Sequence, residues 1–201
     1  MEPNVPNHPE HITARYIQQN YVELYTSDVE NRSHYINQAG WYILNSKTLE
    51  HLVTILGSDR VVEVFSGTGY LNYWLQYYRE PDYVTKAYDS RMYRKYQAAW
   101  AKPYAGSKKN AFNVNLKSFD TVIMCWPAYD ENHAYRIVRK MKPGQRLIYQ
   151  GEWWGGCTGN DQFFNYLDDH FIEDLDSSDY LNSVSTSYVG INDNWYVFTK
   201  R

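Results

Sequence analysis

The run from Arg60 to Tyr78, Arg-Val-Val-Glu-Val-Phe-Ser-Gly-Thr-Gly-Tyr-Leu-Asn-Tyr-Trp-Leu-Gln-Tyr-Tyr, constrains the fold more than any other part of the chain. Val61 to Phe65 is short, apolar and β-branched, broken by one acid, Glu63, and reads as a buried central strand. Ser66-Gly-Thr-Gly69 then turns the chain. Leu71, Trp74, Leu75 and Tyr78 follow at i, i+3, i+4 and i+7, one face of a helix that Pro81 brings to an end. A strand that runs through glycines into a helix start brings bare backbone N–H groups and the positive end of a helix dipole up to a ligand. Gly67 and Gly69 admit positive φ and let a ligand lie directly on the backbone.

A Gly-x-Gly turn on its own can be purely structural, and the downstream spacing argues for a ligand. Tyr83 to Tyr88 reads as a second strand that ends in Asp89, twenty residues after Gly69. An acid at about that distance holds a ribose diol in nucleoside-binding βαβ units. A dinucleotide fingerprint needs a small residue where Asn72 stands, which disfavours an NAD-type oxidoreductase. Glu63, two residues before the end of the strand, suits a cofactor that carries an ammonium group rather than a pyrophosphate.

Glu63-Val-Phe-Ser-Gly-Thr-Gly69 resembles motif I of the class I S-adenosylmethionine-dependent methyltransferases, in the variant with Phe before the small residue. That variant is typical of cytosine-C5 enzymes and of ribosomal RNA guanine-N2 enzymes. The resemblance implies S-adenosyl-L-methionine as cofactor, bordered by Glu63, Phe65, Ser66, Gly67, Gly69, Asp89 and Cys125. An amide near the end of a third strand, placed at Phe112 to Leu116, would contact the adenine; Asn113 and Asn115 are the candidates.

Thr121 to Cys125 reads as the next strand, and Trp126-Pro127-Ala128-Tyr129 follows it. The position matches motif IV of the amino-methylating members, where Asp/Asn/Ser-Pro-Pro-Tyr/Phe orients the target amine by accepting its hydrogen bonds. An indole donates a hydrogen bond and accepts none. Trp126 therefore keeps the turn, with Tyr129 as a stacking ring, but cannot orient an exocyclic amine. The cytosine-C5 route lacks its Pro-Cys nucleophile, since Cys125 precedes the proline.

The length of 201 residues fits one domain with a substantial core, and the formal charge of −3 argues against a generic polyanion binder. No apolar run approaches a membrane span, no signal-peptide pattern opens the chain, and the two cysteines are far apart. The expectation is a cytoplasmic protein with free thiols and no membrane partner. Residues 1–9 read as a flexible arm; His8 in it and His11 just beyond it have no further clustered metal ligand. Residues 10–57 read as a helical segment packed on the core, with a weak helix from Glu10 to Leu24. A second helix is capped by Ser46, striped by Leu49, Leu52, Val53 and Leu56, and closed by Gly57. Trp41 to Asn45 lies where a segment could cover the cofactor; equally, Trp41 could pack the helix on the sheet.

Arg91, Arg94, Lys95, Lys102, Lys108 and Lys109 form a basic stretch, either a solvated helix or a phosphate-facing patch. From Glu152 onward the chain is acidic, with no Lys or Arg until Lys200. A duplex laid across both halves would meet repulsion, which favours a small or single-stranded acceptor over duplex DNA. A helix capped by Asp130 or Asn132 and carrying Ala134, Ile137, Val138 and Met141 leads through Pro143-Gly144 into a fifth strand, Arg146 to Gln150. The glycine-rich loop Gly151 to Gly159 follows. In it Glu152 is either an acid that caps a neighbouring loop or the group that orients substrate or acts as general base. Trp153 joins Trp126, Pro127 and Tyr129 as a wall of the acceptor pocket. A helix opened by Thr158 and Asn160-Asp161 carries Phe163, Phe164, Leu167 and Phe171 inward. Ser183 to Tyr188 and Trp195 to Thr199 read as a terminal antiparallel hairpin.

Together the Trp41 lead, Glu-Val-x-x-Gly-Thr-Gly-Tyr, Cys-Trp-Pro-x-Tyr and Gly-Glu-x-x-Gly-Gly-Cys-Thr-Gly resemble a family of methyltransferase-like proteins of unassigned substrate. The implied architecture is a single Rossmann-like α/β domain spanning residues 1–201. It has a mainly parallel seven-stranded sheet, an antiparallel last strand and helices on both faces. The implied activity is methyl transfer with Glu152 and Tyr129 at the acceptor; the rival is a protein that binds S-adenosylmethionine without methylating.

Overall fold

A computed structural model describes residues 39–89, 107–188 and 190–201. The expected arm, the Glu10 to Leu24 helix and most of the basic stretch lie outside the described residues. The described chain begins over the first helix, α1 (Ser46–Leu56). Its cap is Asn45 rather than Ser46: the Asn45 side chain accepts from the Thr48 N–H at 2.9 Å, and Gly57 closes the helix at φ 46°. β1 (Val61–Val64), α2 (Tyr70–Tyr78) and β2 (Thr85–Asp89) follow, the strand–turn–helix–strand unit expected from the sequence. Then come β3 (Ser107–Lys108), β4 (Thr121–Cys125), α3 (His133–Lys140), β5 (Arg146–Glu152), α4 (Asp161–His170), β6 (Phe171–Glu173), α5 (Leu175–Val184) and β7 (Asp193–Lys200).

The strands form one seven-stranded sheet in the order β3-β2-β1-β4-β5-β7-β6. The β2–β3, β1–β2, β1–β4 and β4–β5 pairs are parallel, while β7 runs antiparallel to both neighbours. Strand order reverses between β1 and β4, because the chain first builds outward through β2 and β3 and then returns to the other side of β1. Such a reversal opens a crevice at the carboxyl ends of the two strands, and ligands of open α/β sheets bind there.

Alternation along each strand divides the core into two layers. Val61, Ile123, Ile148, Trp195 and Val197 face α1, α2 and α5; Val62, Val64, Val122, Met124, Leu147, Tyr149 and Phe198 face α3 and α4. The stripe read from the sequence holds, since Leu71, Trp74 and Leu75 are buried in the first layer. Trp74 and Trp195 are both 1% exposed, so truncating either to Ala removes a large packed volume and costs about 3–5 kcal/mol.

Two expectations need correction. The third strand is the short Ser107–Lys108 pairing, and the segment Phe112 to Leu116 instead forms 3-10 turns at Ala111–Asn113 and Leu116–Ser118. The reason is local: the Asn110 side chain accepts from the Phe112 N–H at 2.9 Å, and Asn115 donates to Ser118 Oγ. Such side-chain bonds divert the backbone from a ladder. The terminal hairpin is also different. β7 pairs with β6, not with Ser183 to Tyr188. Ser183 lies in the last turn of α5, whose N-cap is Asp174 accepting from the Ser177 N–H, and Thr186 makes only a single bridge to Ile43.

Candidate functional site

The crevice is framed by two strained turns. Phe65 and Trp126 are the positive-φ residues other than glycine among the described residues, at φ 59° and 48°. Each follows directly on its strand, β1 or β4, and these strands are paired with Val64 opposite Met124. Bulky side chains in left-handed backbone are unfavourable, and such strain gathers where surrounding structure holds a functional turn.

At the first turn, Gly69 donates its N–H to Ser66 O at 2.8 Å and stands at φ 73° as the start of α2. Gly67, at φ 53°, is exposed, and a Cβ placed on it would meet no protein atom within 4 Å. Packing does not require this glycine; the backbone angle does, and the space above it is open. The Gly67 N–H donates to Asp89 Oδ2 at 2.9 Å. That bond turns the half-buried carboxylate at the end of β2 toward the glycine turn. Thr68 Oγ1 donates to Ala39 O at 3.0 Å and ties the turn to the segment before α1.

Beneath the turn lies a buried polar group. Glu63 is 2% exposed, and burial, with the nearby Asp89 charge adding, pushes its carboxyl up to about 8 against the pull of the Asn72 backbone N–H. Its Oε2 has no hydrogen-bond partner. The Asn72 side-chain amide, fully buried in the first turn of α2, has none at either atom, and neither has Ser66 Oγ. Buried polar atoms are ordinarily paired. Glu63, Asn72 and Ser66 thus offer two acceptor atoms, an amide and a hydroxyl at the carboxyl edge of β1.

The second turn is locked to the glycine-rich loop. Trp126 donates its backbone N–H to Gln150 O at 2.8 Å, Gly159 donates to Pro127 O at 2.9 Å, and Ala128 bridges to Thr158. The two most distinctive sequence motifs are therefore one physical unit. Trp41 stacks on Trp126 with ring centroids 5.4 Å apart, half exposed, so it covers the crevice edge while Tyr42, Ile43 and Leu44 do the packing. Tyr129 is 57% exposed beside it.

Glu152 is tied down by this loop. Its Oε2 accepts from the Cys157 N–H at 2.6 Å and its Oε1 from the Asn192 N–H at 3.3 Å, while its carbonyl accepts from Tyr149 Oη and Thr158 Oγ1. Gly156 is glycine for the same reason, since a Cβ there would lie 2.3 Å from Glu152 Cβ. The carboxylate thus caps the loop and the approach to β7, one of the two roles its sequence allowed.

Three other expected site residues have particular placements. Trp153 does not face the crevice: it packs in the second core layer against Phe164, Tyr196 and Phe198, at centroid distances of 4.8, 4.6 and 5.9 Å. The alternation of β5 carries the chain to that side after Glu152. Asn113 is exposed in a 3-10 turn, and Asn110, two residues beyond β3, is the first amide after that strand. Cys125 is buried at the end of β4, where burial pushes its thiol up, with the Glu63 and Asp193 charges adding and a Tyr42 hydrogen bond opposing.

Asn72, Asn110, Gln150 and Asp193 belong to the site region without having been singled out as site residues. Gln150 and Asp193 lie on the same sheet face as Glu63 and Cys125, by the alternation that faces Val61, Ile123, Ile148 and Trp195 to the first core layer. Asp193 is 5% exposed; its Oδ2 accepts from Trp126 Nε1 at 3.0 Å and from Gln150 Nε2 at 2.6 Å. In the sequence Asp193 lies in Asn192-Asp193-Asn194, between the two segments expected to form the terminal hairpin.

No protein-family model matches the chain, and no curated protein does. Among solved structures, magnesium protoporphyrin IX methyltransferase from Synechocystis PCC 6803, determined with bound S-adenosylmethionine, is similar with a TM-score of 0.52. It is 12% identical, and the match covers 98% of this chain and 100% of that one. Human N-acetylserotonin methyltransferase is similar at 0.47 and 12% identity over 92% of this chain and 59% of that one. The Bacillus subtilis tRNA methyltransferase TrmK is similar at 0.47 and 10% identity over 80% and 68%. The chain has the class I methyltransferase fold, a Rossmann-like sheet with its antiparallel strand β7 next to the edge. No described helix is long and apolar enough to cross a membrane.

Proposed function

We propose that the protein is an S-adenosylmethionine-dependent methyltransferase. The observation that carries this reading is the glycine turn with its leftover polar atoms: open space above Gly67, the Asp89 carboxylate turned toward it, and the orphaned Glu63 Oε2 and Asn72 amide below. The donor set fits the cofactor's chemistry. Asp89 would take the ribose hydroxyls and Gly67 and Gly69 would let the nucleoside approach the backbone. Glu63 would take the ammonium of the methionine end, with Ser66 and Asn72 beside it and Phe65 and Cys125 at the strand ends. When bound, S-adenosylmethionine supplies an electrophilic methyl group on sulfur.

Trp126, Pro127 and Tyr129, with Trp41 over them, would border the acceptor and exclude water from it. Alignment of donor and acceptor in such a site supplies most of the rate, since methyl transfer needs little acid–base help. Glu152 enters this reading by shaping the loop that meets Pro127 and Ala128. Flat aromatic surface, a formal charge of −3 and the acidic half of the chain from Glu152 to Thr199 favour a small molecule or single-stranded nucleic acid as acceptor. The test is calorimetric titration with S-adenosylmethionine and its demethylated product. Micromolar binding of both supports the reading, and absence of heat with either at millimolar ligand contradicts it.

A further inference from the structure

Asp193 has an oddity that cofactor binding does not absorb. It is 5% exposed, and among the described residues no ion pair involves it. Both hydrogen bonds to its carboxylate come from neutral donors, and both go to the same oxygen: Trp126 Nε1 and Gln150 Nε2 donate to Oδ2. Oδ1 has no partner, and Oε1 of the bonded Gln150 has none either. A buried carboxylate without a counter-charge and a buried amide oxygen without a donor are costly unless something supplies N–H groups. The carboxylate also fixes the amide orientation, because a flipped Gln150 would set oxygen against oxygen at 2.6 Å.

The pair stands at the carboxyl edge, joined to the strained Trp126 turn on one side and to the first residue of β7 on the other. Two unpartnered acceptor oxygens on one hydrogen-bonded pair of side chains, one of them a carboxylate, suit an edge that carries an amino group next to a ring nitrogen or a second N–H. The rings at hand, Trp126 with Trp41 and Tyr129, offer flat surface for such a molecule.

We propose that Asp193 and Gln150 form an N–H-recognising subsite, and that the methyl acceptor is a planar heterocycle bearing an amino group. The word "acceptor" rests on the methyltransferase reading above; the subsite itself does not. A carboxylate brought from β7 then does what the Trp126 indole cannot, which is to accept a hydrogen bond from the bound amine. Oδ1 is closed to solvent, so the arriving ring displaces a covering side chain. In this proposal the side chain that moves is Trp41, half exposed and stacked on the Trp126 ring whose indole donates to Asp193.

The test titrates 2-aminopyridine, a planar ring with an amino group, into the full chain while the Trp126 indole N–H is followed by NMR, its signal assigned by loss in Trp126→Phe. The expected result is saturable binding that shifts this signal, with unsubstituted pyridine and the Asp193→Asn variant each at least tenfold weaker. Should Asp193→Asn fail to fold, Gln150→Leu carries the same expected loss. Equal binding by the variant, equal binding of pyridine, or no saturable binding to the wild-type chain overturns the subsite. S-adenosylmethionine is titrated into the same samples. If the wild type binds 2-aminopyridine but not S-adenosylmethionine, the methyltransferase reading falls and the subsite stands.

Discussion

The two ends of the sheet treat their buried polar atoms in opposite ways. At the amino end of the parallel strands nearly every one is spent inside the protein. Arg79 donates to Thr85 Oγ1, Gly57 O and Asp59 O. Gln145 Nε2 donates to both Leu116 O and Phe119 O, and Lys200 Nζ to Val138 O, Met141 O and Tyr166 Oη. Among the described residues Arg79 Nε is an exception there. At the carboxyl end Glu63, Ser66, Asn72, Gln150 and Asp193 all keep atoms without partners, and both left-handed bulky residues stand among them. The contrast teaches where to look: polar groups used up by the fold hold it together, and those left over are addressed to something outside it.

The largest effect that can break this contrast is at the carboxyl end. Asp89→Ala should weaken S-adenosylmethionine binding by about a hundredfold, as expected when a charge-assisted pair is removed, with little change in melting temperature. Unchanged affinity in calorimetry would refute the ribose role. The mirror-image change at the amino end is Lys200→Met, which takes the donor from the Met141 carbonyl and leaves Val138 O with only the 3.3 Å bond from the Met141 N–H. It should cost about 2–3 kcal/mol in urea denaturation and leave cofactor affinity within twofold. A coupled loss of both would erase the distinction between the ends.

A smaller effect sharpens it. Burial raises the Glu63 carboxyl to about 8 in the folded chain, so the folded state binds a proton that the unfolded state releases at lower pH. The stability from this group is fully present below the ordinary glutamate range and is lost as pH rises toward about 8. The wild type should therefore melt a few degrees lower at pH 9 than at pH 6, and Glu63→Gln should remove much of that slope. The smallest effect belongs to Arg60→Ala. Asp120 is held down to about 2 chiefly by its hydrogen bonds to Arg60, but both partners are solvent-accessible, so melting should shift little and binding not at all.

Most of the sheet was legible because its cues are local. The β1 run, the glycine turn, the Leu71-Trp74-Leu75 stripe and the Pro143-Gly144 turn each specify their own backbone. β3 and β6 were not legible, being two and three residues long and defined by their partners rather than by their own pattern. Asn110 and Asn115 also redirect the chain where a strand was expected, through bonds to neighbouring residues that period-2 reading ignores. At the site, Glu63, Gly67 and Asp89 could be read from spacing along one βαβ unit. Asp193 could not, because it meets Trp126 across 67 residues of chain and only the antiparallel pairing of β7 brings them together. Trp153 was misread for the related reason that alternation, not nearness in sequence, chooses a side chain's face.

Proton release on cofactor binding tests the central claim most directly. If the ammonium of S-adenosylmethionine meets the buried Glu63, the carboxyl must give up the proton it holds near neutral pH. Titration at pH 7 in two buffers of different ionisation enthalpy should then report release of about one proton, with affinity rising roughly tenfold per pH unit below about 8. Glu63→Gln should release none. Wild-type binding with no proton release and no dependence on pH between 6 and 8 would contradict the account.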